Sequence, residues 1–354
     1  MRCPAIIDYS AAMFGRNSAL LLLLCLLAWP AAAADRVVTD GAGRAVHVPE
    51  RIARVFAAGS PAAVSLYVLA PDKLLGWTGP LRDEEKAFLP QRYAALPVLG
   101  RLTGRANTAN VETVLAARPD IILDLGDVDP THVSLAERTQ DQTGIPYLIY
   151  DGKFERTPEL FEQLGALLGE EKQAQALAAY ARSTLAALKA GMAKVPAERR
   201  PHVYYARGID GLETALDGSI NTEMLAYVGA GNVARSPDRH NTATASPEQI
   251  IAWDPDTVIT MDEGFYRAVW KSPVWQGVRA VRDKRVILLP RVPFGWFDSP
   301  PAVNRLIGVR YLAAKLYPEV FSADLRETTA DFYRRFYHID LSEAQLDQLL
   351  QPAP

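Results

Sequence analysis

The chain has 354 residues and a formal net charge of −3, and 49% of its residues are hydrophobic while 22% are charged. A chain of this length can bury a large core and is expected to divide into two lobes. Its mild acidity gives no reason to expect a nucleic acid partner.

The N-terminus has the pattern of a cleavable secretory signal. Arg16 precedes the apolar run ALLLLLCLLAW at residues 19–29, and small residues lead up to Ala34. A basic region, a short apolar region and small residues before a charged one are typical of such signals. We therefore expect residues 1–34 to be removed and the chain to reach the periplasm. Met13 is an alternative start, since it opens a tidier basic region.

Two other interpretations of this segment fit it less well. A membrane-spanning helix needs about 20 apolar residues, and this run is shorter. A lipid anchor at Cys25 calls for a small residue before it, where Leu24 stands. Removal of the segment also removes Cys3, so the mature chain would be held by its core without disulfides.

Residues 35–156 predict an N-terminal α/β lobe. Alternating apolar residues around a glycine-containing turn predict a hairpin, and a buried strand follows near Arg54 to Ala58. Ser60 before Pro61 predicts a helix with Ser60 as its N-cap. Further short apolar runs predict strands at 74–77, 98–100, 121–125 and 147–150.

Residues 157–195 predict an interlobe helical region, because helix-forming residues occur nearly throughout. The leucines spaced i, i+4, i+7 and i+8 from residue 160 predict one apolar helix face. Gly169 is a candidate break. A helix from Glu170 to Val195 would extend roughly 39 Å, long enough to run the length of two lobes.

Residues 196–354 predict a C-terminal α/β lobe with additional C-terminal helices. Predicted strands lie at 202–207, 213–216, 257–261 and 285–290. Predicted helices lie at 222–230, 247–253 and from residue 301 to about residue 317. Strands that alternate with helices favour parallel sheets covered on both faces. The prediction is an α/β fold with two Rossmann-like lobes, each around a parallel sheet, joined by one long interlobe α-helix.

One segment occurs twice. NVETVLAARPDIIL at 110–123 aligns without gaps on SPEQIIAWDPDTVI at 246–259. The identical pairs are Glu112/Glu248, Ala116/Ala252, Pro119/Pro255 and Asp120/Asp256. Each copy predicts a short helix that stops at proline before a buried strand. A glutamate in a first helical turn stabilises the helix dipole by about 0.3–1 kcal/mol, so each glutamate has a structural explanation as well as a functional one.

These features together resemble the periplasmic substrate-binding proteins of ABC importers for iron–siderophores, haem and cobalamin. DGAGRAVHVPERIARVFAAG at 40–59 and GAGNVA at 229–234 are similar to two segments of that family. The resemblance covers about residues 36–335. It implies a monomer that delivers its ligand to a permease dimer in the inner membrane. In that family one glutamate of each lobe docks onto permease arginines, which implies this role for Glu112 and Glu248.

The resemblance also implies a ligand site in the cleft between the lobes. The loop PFGWFDSPPAVNRLIG at 293–308 carries three aromatic residues within four positions. Trp296 and Phe297 are expected to form a shelf for a flat or aryl-bearing ligand, although such residues are also typical of a packed loop. Asp298 or Ser299 is expected to cap the helix that follows.

Other candidate ligand-binding residues come from both lobes. Ser60 lies at a helix N-terminus, which favours anions, and Trp77 is expected in a loop after a strand. Arg101 and Arg105 lie on a glycine-rich loop, and arginine forks suit carboxylate, catecholate or hydroxamate oxygens. Each arginine is equally consistent with a solvated loop charge.

The C-terminal lobe contributes three more candidates. Tyr204 and Arg207 end a predicted strand, and alternation sends Tyr204 and Tyr205 to opposite faces of the sheet. Of these two tyrosines we predict Tyr204 in the site. Tyr266 is a further candidate.

The preferred ligand is an iron chelate of the siderophore type. Haem stays open because Tyr204 could be its axial ligand. Cobalamin stays open, as do molybdate and tungstate through the residues Ser60, Arg101 and Arg105. No cofactor of the protein's own is expected.

Two other functional classes are disfavoured. A direct metal-ion binder needs about three or four His, Asp or Glu ligands, and the five histidines are scattered along the chain. A periplasmic hydrolase would be expected to carry a nucleophile or metal motif, and none of the common ones is present. The chain is therefore predicted not to be an enzyme.

Overall fold

A computed structural model describes Met1 and residues 35–104, 107–236 and 242–350. Residues 2–34 of the predicted signal segment, with Cys3 and Cys25, lie outside the described residues, and so does Arg105. Within the described part of the chain, no helix is both long and apolar enough to span a membrane.

The strands, numbered in chain order, are β1 Asp35–Thr39, β2 Ala45–Pro49, β3 Val55–Ala57, β4 Ile121–Gly126, β5 Tyr147–Asp151, β6 His202–Ala206, β7 Glu213–Ala215, β8 Gly231–Asn232, β9 Thr242–Thr244, β10 Thr257–Thr260 and β11 Val286–Leu288.

The helices of the N-terminal half are α1 Ser60–Leu69, α2 Asp83–Lys86, α3 Gln91–Ala94, α4 Val111–Ala117, α5 Pro130–Thr143, α6 Thr157–Leu168 and α7 Glu171–Met192. Those of the C-terminal half are α8 Glu223–Tyr227, α9 Pro247–Trp253, α10 Glu263–Val269, α11 Pro273–Gln276, α12 Arg279–Arg282, α13 Arg305–Leu316, α14 Leu325–Phe336 and α15 Glu343–Leu350. Short 3₁₀ turns lie at Pro71–Lys73, Phe154–Arg156 and Ala197–Arg199.

Each lobe is built on a parallel sheet, as the alternation of strands and helices predicts. The N-terminal sheet has the order β3-β4-β5, and the C-terminal sheet has the order β11-β10-β6-β8. Antiparallel pairs β1-β2 and β7-β9 flank them. The predicted strands at 74–77 and 98–100 are reduced to isolated bridges, at Leu74 beside Val55 and between Trp77 and Val98. The predicted α/β class with two lobes is confirmed.

One apolar core runs through both lobes. It joins the inner face of β3 at Val55 to helix α7 at Leu177 and to the inner face of β6 at Tyr205. The outer faces of the two sheets have separate clusters, with Phe56 on one and Tyr204 on the other. Because successive strand residues point to opposite faces, each sheet shares its inner face with the common core and covers its outer face with its own helices.

The predicted interlobe helix is divided at Gly169. Gly169 takes a left-handed conformation with φ of 69° and ends α6. Helix α6 then packs against α7 so closely that a Cβ at Gly165 would lie 2.3 Å from Cβ of Ala174. Helix α7 alone is the long helix, with 22 residues and a length of about 33 Å. It is shorter than predicted at both ends and contacts α1 of one lobe and α13 of the other.

A buried polar cluster also joins the lobes. The side chain of Arg305 is 1% exposed, and it pairs with Glu223. Its Nη2 donates to the carbonyl oxygen of Gly152 at 2.6 Å, directly after β5 of the N-terminal lobe. Oε1 of Glu223 also accepts the backbone N–H of Phe154 at 2.8 Å. We call Arg305, Glu223, Gly152 and Phe154 the interlobe latch.

Candidate functional site: a cleft between the lobes

The candidate site is a cavity of about 480 Å³ where the carboxyl ends of strands from both sheets meet. Open α/β sheets bind ligands at this edge, because loops and helix N-termini converge there. The N-terminal lobe contributes Gly59, Ser60, Pro61, Arg101, Thr103, Gly104, Asp124, Leu125, Gly126, Asp127 and His132. The C-terminal lobe contributes Arg207, Ile220, Asn221, Thr242, Asp298, Ser299, Pro300 and Pro301.

The start of α1 forms part of the N-terminal wall. Gly59 is the N-cap residue, which corrects the prediction that Ser60 is the cap. The hydroxyl of Ser60 is instead 2.8 Å from Oγ1 of Thr78. A Cβ at Gly59 would lie 2.6 Å from Oγ1 of Thr103, so glycine allows this turn to lie directly on the cleft floor.

Asp124 is a buried carboxyl group on the floor of the cleft. It is 4% exposed, Oδ1 accepts from Oγ1 of Thr103 at 3.0 Å, and Oδ2 accepts from Oη of Tyr147 at 3.1 Å. Burial raises the pKa of Asp124, although the two hydroxyl donors oppose this rise. An acidic residue inside the apolar run IILDL was a sequence signal for this position that the prediction did not use.

The C-terminal wall is organised around a second buried carboxylate, Asp298. Its side chain is fully buried and pairs with Arg207. Its Oδ1 accepts hydrogen bonds from Oη of Tyr205 at 2.8 Å and from Oγ of Ser299 at 3.0 Å. Nε of Arg207 is also 3.4 Å from Glu213. Arg207 is therefore held in one orientation on the cleft wall. The carboxylate that holds it, Asp298, was suggested by the sequence only as a helix cap.

Tyr204, which was predicted to be in the site, lies in the core of the C-terminal lobe. Its hydroxyl donates to the carbonyl oxygens of Gly211 and Leu212, and its ring contacts Trp253 and Trp275. Tyr205, on the opposite face, is connected to the cleft through Asp298. The predicted alternation is correct, but the structure reverses which tyrosine approaches the site.

The predicted aromatic shelf also lies in the core. Trp296 is fully buried against Tyr311 and Tyr333, and Phe297 packs on Tyr205 with ring centroids 4.7 Å apart. The helix expected from Pro301 begins only at Arg305. A Cβ at Gly308 of that helix would lie 1.6 Å from the carbonyl oxygen of Trp296, so the helix rests directly on the loop and closes it off from solvent.

The remaining predicted residues occupy different places. Trp77 is 3% exposed and donates from Nε1 to the carbonyl oxygen of Tyr93 at 2.8 Å. It borders a side cavity of about 160 Å³ that shares Ser60 and Arg101 with the cleft. Tyr266 lines a separate cavity of about 210 Å³. Arg105 lies outside the described residues, next to Gly104 of the cleft wall.

Residues not predicted from the sequence complete the cleft. Nδ1 of His132 is 2.9 Å from Oδ1 of Asp129, the N-cap of α5. Asn221 and Thr242 add polar groups from the other lobe. No group of three or more His, Cys, Asp and Glu side chains positioned for a metal ion occurs in the described part of the chain. The cleft thus offers guanidinium, hydroxyl and amide donors from two lobes.

The repeated segments form equivalent structures in the two lobes. Glu112 is the second residue of α4, with Asn110 as N-cap, and Glu248 is the second residue of α9, with Ser246 as N-cap. Both glutamates are exposed. Because the helices run antiparallel to the strands they precede, their N-termini face the same edge as the cleft. Hydrogen bonds from the first helical turn and from Ser246 lower the pKa of Glu248.

Known proteins with the same architecture are similar to this chain in sequence and in structure. Residues 81–293 match the family described as periplasmic binding protein. A solved ABC transporter solute binding protein from Sulfurospirillum deleyianum DSM 6946 is 31% identical, with a TM-score of 0.81, covering 89% of this chain and 99% of that one.

Two curated relatives carry ligand names. Molybdate-binding protein MolA of Haemophilus influenzae is 27% identical over 346 residues, which cover 90% of this chain and 95% of MolA. The high-affinity heme uptake system protein IsdE of Staphylococcus aureus is 23% identical over 236 residues, which cover 63% of this chain and 77% of IsdE.

Proposed function

Because the chain belongs to the periplasmic binding protein family of ABC importers, we propose that it captures a compact, oxygen-rich anion and delivers it to a permease dimer in the inner membrane. A molybdate-type oxyanion is the first candidate. One observation carries this proposal: Arg101 and Arg207, from different lobes, line a single cleft whose described lining includes no Phe, Tyr or Trp.

The chemistry of the cleft supports an anionic ligand. Guanidinium groups donate several parallel hydrogen bonds to anionic oxygens. Asp298 orients Arg207 before any ligand arrives, which reduces the entropy lost on binding. Asp124 on the cleft floor accepts hydrogen bonds from the hydroxyl groups of Thr103 and Tyr147, which offset part of its repulsion of an anion. The match of MolA over most of the chain supports the same class.

An iron chelate of the siderophore type is the second candidate. The cleft volume of about 480 Å³ exceeds what a bare tetrahedral oxyanion fills, and the same arginines suit chelate oxygens. The burial of Trp296 and Phe297 removes the aromatic shelf on which the sequence-based preference depended. Haem has less support, because Tyr204, its proposed axial ligand, lies in the core.

Glu112 and Glu248 are the proposed contacts with the permease. Both are exposed at the cleft edge, and neither forms an ion pair within the described residues. Two unpaired carboxylates at equivalent places suit two cationic groups on a partner. Exposed pairs of this kind contribute register and recognition more than affinity.

Isothermal titration calorimetry on the ligand-free protein tests the cargo. The probes are molybdate, tungstate, sulfate, a ferric hydroxamate, haem and cobalamin. We expect heat from molybdate and tungstate, and at least about a tenfold loss of affinity in Arg207→Gln, because each charge-assisted hydrogen bond contributes roughly 1.5–3 kcal/mol. Binding of the ferric hydroxamate alone would replace the first candidate by the second, and silence from all probes would reject both.

A further inference from the structure

Two large aliphatic side chains are exposed at equivalent places in the two lobes. Leu115 on α4 is 46% exposed, and Ile251 on α9 is 43% exposed. They occupy matching positions of the repeated segment, each three residues after its glutamate. Single exposed aliphatic residues are common on protein surfaces. The similar exposure of Leu115 and Ile251 in both copies of the repeat suggests that the two residues have the same function.

The exposed faces of the two helices have the same composition. On α4 the exposed side chains at i, i+3 and i+4 are Glu112, Leu115 and Ala116, and on α9 they are Glu248, Ile251 and Ala252. Residues with this spacing lie on one helix face. We call these two sets the docking strips. Each presents a carboxylate, a large aliphatic group and a small alanine that allows a close approach.

Burial against the sheets is not the role of the two aliphatic residues, although part of the Ile251 side chain lies against Gly277. Val114 and Ile250, one position earlier, are the residues that bury α4 and α9 against the sheets, at 0% and 1% exposure. A polar residue at position 115 or 251 would leave those contacts intact. The exposed parts of Leu115 and Ile251 therefore remain available to a partner.

Both strips are also held rigidly at each end. Asn110 and Ser246 accept backbone N–H groups at the N-termini of the helices. Beyond the C-termini, Oδ2 of Asp120 accepts from the backbone N–H of Arg54, and Oδ2 of Asp256 accepts from that of His202, each at 2.8 Å. A surface fixed in this way loses little conformational entropy when a partner binds.

We infer that the docking strips form the apolar centres of a two-site interface with the permease. In each site the glutamate meets a cationic group, while Leu115 or Ile251 enters an apolar pocket beside it. Two strips of the same composition fit a partner that has two equivalent binding sites. A dimer of identical subunits has two such sites. This inference rests on the proposed delivery to a permease and adds the residues that supply affinity.

Photo-crosslinking in cells that express the chain identifies the partner. Leu115→p-benzoylphenylalanine and Ile251→p-benzoylphenylalanine are expected to crosslink to the membrane subunit of an ABC importer, identified by mass spectrometry. The same substitution at Val37, which is 58% exposed on β1, is the matched control and should give no such product. Positions 112 and 248 serve as the charged-contact controls.

The identified permease, purified in lipid nanodiscs, then tests the energetic role. We expect Leu115→Ser and Ile251→Ser each to weaken binding about tenfold, as for anchors at an interface centre, and Val37→Ser to have no effect. Crosslinks from positions 112 and 248 without any loss of affinity in the serine variants would overturn this inference and leave the proposed function standing. An absence of permease crosslinks from all four positions would contradict the proposed delivery itself.

Discussion

Arg207 and Asp298 form a buried ion pair at the wall of the cleft, in which the carboxylate of Asp298 has no exposed surface. The same carboxylate accepts hydrogen bonds from Oη of Tyr205 and from Oγ of Ser299. Cζ of Arg207 also lies 5.5 Å from the centre of the Tyr205 ring. Two buried residues, Asp298 and Tyr205, therefore fix the position of the Arg207 guanidinium on the cleft wall.

The first prediction separates the structural and binding roles of this pair. Arg207→Gln should lower the free energy of unfolding by about 2–4 kcal/mol, because a buried carboxylate loses its counter-ion. The double variant Arg207→Gln with Asp298→Asn should recover most of that stability without recovering anion affinity. Urea unfolding and calorimetry with molybdate measure the two effects. If the double variant regained affinity, Arg207 would not contact the ligand.

The second prediction concerns the pH dependence that Asp124 confers. Burial raises its pKa above the ordinary value of 3.8, so the folded state holds this proton more tightly than the unfolded state. The contribution of Asp124 to stability is therefore largest at low pH and falls as the pH rises from about 3.8 through the pKa of the folded state.

Asp124→Asn should remove this decrease in stability with rising pH. The free energy of unfolding of the variant, minus that of the wild type, is expected to increase with pH and then level off. Urea titrations between about pH 4 and about pH 8 measure this difference. Asp127→Asn, exposed on the same cleft wall, is the matched control and should stay parallel to the wild type. A pH-independent difference for Asp124→Asn would contradict the prediction.

The third prediction tests the interlobe latch. Glu223→Gln keeps an oxygen for the N–H of Phe154 but leaves the guanidinium of Arg305 without its counter-charge. We expect a loss of about 2–3 kcal/mol, reduced from the fully buried case because the Glu223 side chain is 21% exposed. Glu155→Gln removes the charge from a more exposed contact between the same regions, in which Glu155 accepts from Oη of Tyr227, and should cost below about 1 kcal/mol. Equal losses would show that the latch has no special role.

The fourth prediction separates cargo binding from delivery. Glu112→Ala and Glu248→Ala lie outside the cleft and should leave the calorimetric affinity for the cargo unchanged. Uptake of the same cargo by cells should fall in each variant and fall further in the double variant, because two charged contacts to the permease are lost. A weaker cargo affinity in either single variant would contradict the docking role.

The repeated segment shows how far sequence reasoning reached. It predicted a short helix that stops at proline before a buried strand, and both copies have this form. The reason for the repeated aspartates was visible only in three dimensions. Asp120 and Asp256 accept backbone N–H groups at the start of the neighbouring strand in their lobes, and those strands lie far away in the chain.

The two tyrosines and the aromatic loop show why the cleft was harder to predict. A period of two residues indicates that Tyr204 and Tyr205 face opposite ways, but it contains no information about which face meets the other lobe. Trp296 and Phe297 lie in a segment without regular secondary structure, yet α13 and α14 cover that loop. Whether a loop aromatic faces solvent or core depends on which distant helix packs over it.

Periodicity and repetition are local properties of the chain, so they were enough to predict the α/β class, the two lobes, the region of the long helix and the matching glutamates. The composition of the cleft could not be predicted in this way, because the cleft is assembled from loop ends far apart in the sequence. Asp124 and Asp298 acquire their roles from burial and from donors such as Thr103, Tyr205 and Arg207. Desolvation and hydrogen-bond partners are set by packing, and packing brings together residues whose proximity the linear order does not record.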